Sequence, residues 1–210
     1  MLTRCILMLP VVLGGVSLLA GCGPPPRQPQ REEISMFADS VVDFSTNGSP
    51  ANSTDYSELQ ALDEPNVVGC GDDPNAWSPA ISNPDPPGVF TIDDFIVLEF
   101  PFYVYVKEVR IYESYNPGAV VAVDMERSDE GLGPLVMFDD QYGNGVGAAC
   151  PSSFNIQVED NGGVTADQYN RVAIYLDNSR IGDGNDNTDF SDDWPEIDAV
   201  EVIGDILVDD

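Results

Sequence analysis

The sequence predicts an all-β fold, an antiparallel β-sandwich with long loops. Three observations carry that expectation. Short segments rich in Val, Ile, Tyr and Phe recur through the second half of the chain. Clusters of turn-forming residues separate them, and the helical period is weak throughout. About eight short strands in roughly 175 residues suit a sandwich.

The elements follow in order. Phe95 to Phe100 (FIVLEF) is a single apolar run. Tyr103 to Tyr112 alternates, but the apolar positions change parity between Val106 and Val109, which predicts a bulge or a switch of face. Further strands are expected at Ala119 to Met125, Leu135 to Phe138, Phe154 to Val158, Val172 to Leu176 and Ala199 to Val208. Turns are marked by Asn116-Pro117-Gly118, Asn144-Gly145, Asn161-Gly162-Gly163 and the stretch from Gly182 to Asn187. Asn47 to Gly88 is rich in Pro, Asn and Asp and reads as a structured loop region, with one helical turn near Tyr56 to Leu62.

The first residues read differently. Arg4 is followed by an apolar run from Ile6 to Leu19, broken by Pro10, Gly14, Gly15 and Ser17. Small residues then precede Cys22, the three-part pattern of a secretory signal. Leu19-Ala20-Gly21-Cys22 resembles the lipobox of bacterial lipoproteins. That resemblance implies cleavage before Cys22, a diacylglyceryl group on its thiol and acylation of the new amine. Each buried CH₂ of such chains adds about 0.8 kcal/mol of membrane affinity. Gly23, rather than an aspartate, follows the cysteine; in a Gram-negative cell this resembles outer-membrane sorting. The Pro-rich residues after it read as an extended tether. The expected organisation is signal peptide at 1–21, lipidated cysteine and linker at 22–33, and β-sandwich at 34–210.

Charge narrows the partners. The chain carries 37 acidic residues, eight basic ones and no histidine, for a net charge of −29. Cleavage before Cys22 would remove only Arg4 and shift this to −30. Such a field repels nucleic acid and anionic surfaces. Without histidine the usual catalytic triads and most zinc sites are unavailable. Paired carboxylates could hydrolyse glycosides, but among 37 acids chance pairs abound, so an enzyme is not expected. Cys70 and Cys150 remain as an isolated pair, which outside the cytoplasm is expected to form a disulfide. Closing so long a loop contributes about 4 kcal/mol on chain-entropy grounds.

Three segments resemble the galactose-binding-like jelly-roll domains, which include the discoidin type. They are Tyr56 to Asn66 followed by Gly71 to Trp77, Val109 to Val120, and Glu196 to Gly204. The resemblance implies two antiparallel sheets, a structural calcium ion in many members, and ligand loops at one end. Carried over by position, the calcium ligands would be Asp63 and Asn66 in the early loop and Glu201 in the final strand, with Asp198 as a further candidate. Glu64-Pro65 departs from the commoner pattern, in which a glycine follows the aspartate.

The final strand adds an argument of its own. Ile197, Ala199, Glu201 and Ile203 share one face, and Asp198, Val200 and Val202 the other. One face must be buried, so one carboxylate needs a counter-charge, from calcium or from Arg110. Asp183, Asn185, Asn187 and Asp189 place oxygen ligands at alternate positions, as calcium loops do. Thr188 and Trp194 break the EF-hand pattern there, and a solvated turn-rich loop explains the same residues. Among loop aromatics, Trp77 and Trp194 read as caps on the core, and Tyr115 and Tyr142 as candidates to stack on a sugar. The function expected is a membrane-anchored binding module for a glycan or an envelope protein. A structural envelope lipoprotein is the alternative.

Overall fold

The computed structural model describes residues 29–48, 53–69, 71–80, 94–115, 117–129, 131–140, 152–159, 162–177 and 195–208. Cys22, Cys70, Cys150, Tyr142, Trp194 and the Asp183 to Asp189 loop lie outside them. Among the described residues there are eight strands: β1 (Gln30–Phe37), β2 (Ser40–Phe44), β3 (Asp94–Tyr115), β4 (Val120–Glu126), β5 (Leu135–Asp139), β6 (Ser152–Gln157), β7 (Gln168–Leu176) and β8 (Glu196–Val208). Every pairing is antiparallel. The fold class read from the sequence is the one observed.

β3 organises the fold. Its 22 residues would span about 70 Å if straight. Yet only residues 116–119 join its end to β4, whose Val120 pairs with Leu176, which in turn pairs with Asp94 at the start of β3. The strand must therefore double back. It bends where Pro101 and Phe102 are exposed and the register with β7 shifts between Glu99 and Val104. The first half pairs with β2 and β7 in a layer completed by β4 and β5. The second half pairs with β8 and β6 in a layer edged by β1. One continuous core fills the space between, with Ile96, Leu98, Ile174 and Val123 from the first layer and Val109, Ile111, Val200 and Val202 from the second. Phe138 of β5 meets Phe154 of β6 edge-on across it, with ring centres 4.9 Å apart.

The parity change in the sequence of β3 is a real irregularity. Val104 and Val106 point into the core, the register with β8 shifts between Val106 and Glu108, and Val109 and Ile111 then point inward. The two strands expected at 95–100 and 103–112 are one, because a bent strand keeps its ladder on both sides of Pro101. The final strand starts three residues earlier than expected, at Glu196.

Two strands were not expected. β2 is short and half-exposed. β1 begins at Gln30, inside the segment read as tether, so the ladder starts ahead of the Ile34 boundary. Gln30 to Glu33 are all exposed, because β1 is an edge strand that turns little toward the core. Such polar edges also guard against pairing with other chains. No helix among the described residues is long and apolar enough to cross a membrane; the only helical element there is a 3-10 turn at Glu58–Ala61, where the sequence expected one.

Candidate functional site at the loop end

Strand direction puts the connections between β2 and β3, β3 and β4, β5 and β6, and β7 and β8 at one end of the sandwich. Gln30 and Val208 pair at the opposite end of β8, about 40 Å away for a strand of that length.

The loop end is assembled on Trp77, which is fully buried. Its backbone exchanges two hydrogen bonds with Ile197 of β8, at 2.8 and 2.9 Å. Its Nε1 donates to the carbonyl of Thr46 at 3.2 Å. Thr46 Oγ1 in turn donates to Asp94 at 2.7 Å and accepts from the amide of Ala80 at 3.0 Å. One indole thus joins the segment after β2, the long loop and both layers. Reading Trp77 as a core cap fits its burial.

Buried carboxylates staple the same loops. Glu196, fully buried, accepts from the amide of Asp73 and from Ser114 Oγ at 3.0 Å. Asp198, 3% exposed, accepts from the amides of Asn66 and Val67 at 3.1 Å. Glu113 accepts from the amide of Gly118 at 3.0 Å. In each case a strand carboxylate satisfies groups in a loop that has no ladder to join, which is what permits irregular backbone to be covered. Tyr56 (φ +55°) and Asp63 (φ +66°) hold left-handed backbone in the same loop. Their amides are pinned to the carbonyls of Pro74, at 2.9 Å, and Ala38, at 3.0 Å. Such conformations persist only where surrounding contacts fix them.

The expected calcium ligands do not converge. Asp63 and Asn66 have exposed side chains on the loop. Glu201 lies on the outer face of β8, where it accepts from Ser35 Oγ and from Tyr112 Oη at 2.8 Å and pairs with Arg110 at 3.3 Å. The early loop and the final strand do meet, but through Asp198 and main-chain amides. Among the described residues, no group of three or more acidic or cysteine side chains is placed to hold a metal ion. One face of β8 was expected to be buried, and in the structure both are covered. Asp198 and Glu201 are both buried, because β8 lies between β1 and β3 and its outer face is covered by Arg110, Tyr112 and Ser35. Tyr115 ends β3 at the loop end and is half-buried.

Burial raises the Asp198 carboxyl above its usual range; the Val67 and Asn66 amides oppose this and the charge of Asp73 adds to it. Burial, with Glu126 and Asp139 nearby, raises Asp124 likewise. A carboxyl raised in the folded state binds a proton that the unfolded chain releases. Its stabilising contribution is full below the unfolded value and is lost as pH rises through the folded one. Thermal unfolding should therefore move upward on acidification toward the ordinary aspartate range. Asp198→Asn should shrink that rise, and Asp198→Ala should cost about 1–2 kcal/mol by stranding two amides. A Tm that falls over this pH window, or rises equally in Asp198→Asn, would contradict the assignment.

Chemically the loop end is an acceptor surface. The described loop residues from 45 to 80 include Asp55, Glu58, Asp63, Glu64, Asp72 and Asp73 and no Lys or Arg. Leu59 and Val68 are exposed among them, at 54% and 98%. The architecture defines an antiparallel β-sandwich with its long early loop packed on one end. No family model matches the chain. Over an alignment of 109 positions that covers 45% of this chain, it is 30% identical to F-box/LRR-repeat protein 4 of Bos taurus, of which 18% is covered. The chain thus spans less than a fifth of that relative. Among solved structures, it is similar to allantoicase from Saccharomyces cerevisiae at a TM-score of 0.47 and 8% identity, over 78% of this chain and 39% of that one. It is also similar to discoidin II from Dictyostelium discoideum at a TM-score of 0.42 and 10% identity, over 84% of this chain and 59% of that one.

Proposed function

We propose that this protein is a non-catalytic binding module, lipid-anchored at Cys22 outside the cytoplasm, that presents its loop end to a glycan or an envelope protein. The observation that carries this reading is polarity. The chain enters the sandwich at Gln30, and the described loop of residues 45–80 meets β8 at its other end, through Trp77, Asp73 and Asn66. Seven residues lie between Cys22 and Gln30 in the sequence, a reach of about 25 Å for an extended Pro-rich segment. An anchor there would leave the loop end facing away from the membrane. The acidic character of that end adds repulsion from anionic headgroups.

The chemistry of the described residues supports binding over catalysis. Asp94, Glu113, Glu196 and Asp198 are engaged as acceptors for loop groups, and Glu201 by Arg110, Tyr112 and Ser35. The chain has no histidine to serve as a base. The anchor is tested by Cys22→Ser, which should release the protein from washed membranes, whereas the unaltered chain resists high salt and partitions into detergent. Equal retention of both would sink the anchor. The module is tested on a glycan array run in calcium and in EDTA, beside in-cell cross-linking. Capture of a glycan, or of one reproducible envelope protein that is lost when Leu59 and Val68 are replaced by Ser, supports the reading. Silence in both overturns it.

A further inference from the structure

We infer that β1 is a load-bearing clamp: tension between the N-terminal attachment and a ligand at the loop end is carried in shear by the β1–β8 ladder and by side chains strapping β1 to β3 across β8. The inference rests on the proposed attachment at the N-terminal side, but the clamp itself is a property of the fold.

The motivating observation is a mismatch. β1 buries little: Met36 alone is in the core and Ile34 packs against it. Gln30 to Glu33 are exposed. A strand so poorly buried would ordinarily fray. Instead it pairs with β8 over eight consecutive positions, from Gln30↔Val208 to Phe37↔Glu201, without a register shift. Side chains on the outer face then reach past β8 to β3 at three levels. Arg31 of β1 stacks over Tyr105 of β3, 4.0 Å from the ring centre. Lys107 of β3 bonds Glu33 of β1 at 2.7 Å and Asp205 of β8 at 2.6 Å. Glu201 of β8 is held by Ser35 of β1 on one side and by Arg110 and Tyr112 of β3 on the other. Lys107 is the only lysine in the chain, and Arg31 and Arg110 are two of its seven arginines.

Direction decides what these contacts do. Ladder hydrogen bonds lie perpendicular to the strands. Pulling Gln30 away from the loop end loads β1 along its own axis, so all eight pairs and the three straps resist together. Pulling Gln30 away from Val208, its partner in the register, peels the ladder one pair at a time. Surface ion pairs add little at equilibrium. Under shear they must break within the same event, and forced unfolding is governed by that rate.

The test is single-molecule pulling of the full chain through bio-orthogonal handles, so that no cysteine is used. One handle precedes Gln30; the other is placed either at exposed Asp63 or after Val208. The first arrangement should rupture at roughly twice the force of the second, or more. It should release about 10 nm of chain, the residues between 30 and 63. Lys107→Met with Glu201→Gln should lower the first force and leave the second within error. Equal forces in the two arrangements of the unaltered chain would overturn the clamp, and an unchanged first force in the double variant would remove the straps from it. Cys22→Ser fractionation reads the anchor alone and the pulling contrast reads the fold alone, so the two can fail separately.

Discussion

Trp77→Ala should lower the free energy of unfolding by about 4 kcal/mol, in the range for emptying a buried indole from a core. The side chain is fully buried, so its cavity has no solvent to refill it. The loss is compounded by what the indole joins. Nε1 holds the Thr46 carbonyl, and Thr46 holds Asp94 and the amide of Ala80. Without the ring, the segment after β2 and the long loop lose their common support, while the Trp77–Ile197 backbone pair alone cannot hold the loop on β8. Chemical denaturation would show a lower midpoint. Hydrogen exchange would show the amides of residues 45–48 and 71–80 opening before those of β3 and β7. Trp77→Phe is the informative companion. It keeps most of the apolar volume and forfeits the Nε1 bond, at about 1 kcal/mol. If Trp77→Ala costs no more than Trp77→Phe, the indole is not the support described here.

Much of this fold was legible in the sequence, and the exceptions have physical reasons. Strands that bury one face announced themselves: β4, β7 and the later part of β8 fall where the Val and Ile segments do. Even the bulge after Val106 showed as a parity change. β1 was hidden because an edge strand fixed by straps rather than by burial has the composition of a linker. The candidate site was half legible. The early loop was expected to meet the final strand, and it does. What could not be seen is that Asp198 is met by main-chain amides, which no residue type betrays; Arg110, one of the two expected counter-charges, does pair with a carboxylate of the final strand, Glu201. Nor could burial single out Glu196 and Glu113 among 37 acids of identical chemistry, since only the folding of a loop over a strand end distinguishes them.

Gly204→Ala is expected to cost about 3 kcal/mol, at the upper end for overpacking a well-packed site, because nothing near it can yield. A Cβ at this position would lie 2.5 Å from the carbonyl oxygen of Tyr105, 3.1 Å from its carbonyl carbon and 3.2 Å from the Cα of Val106. All three are backbone atoms of β3, so no rotamer change relieves the contact. The crowding has a cause in the register: Gly204 pairs with Val106, and the β3 ladder shifts immediately afterwards. The bulge that turns Val109 and Ile111 into the core is thus accommodated by the absence of a side chain on β8. Since Gly204 also pairs with Ile34, displacing it disturbs β1 in the same movement. Gly133→Ala is the control, since a Cβ there meets nothing within 4 Å and its backbone is not left-handed. That variant should leave stability unchanged or slightly raised through the unfolded chain. Urea unfolding of the two variants side by side decides the point: if they share one midpoint, β3 does not approach β8 as closely as described, and the bulge must be accommodated elsewhere.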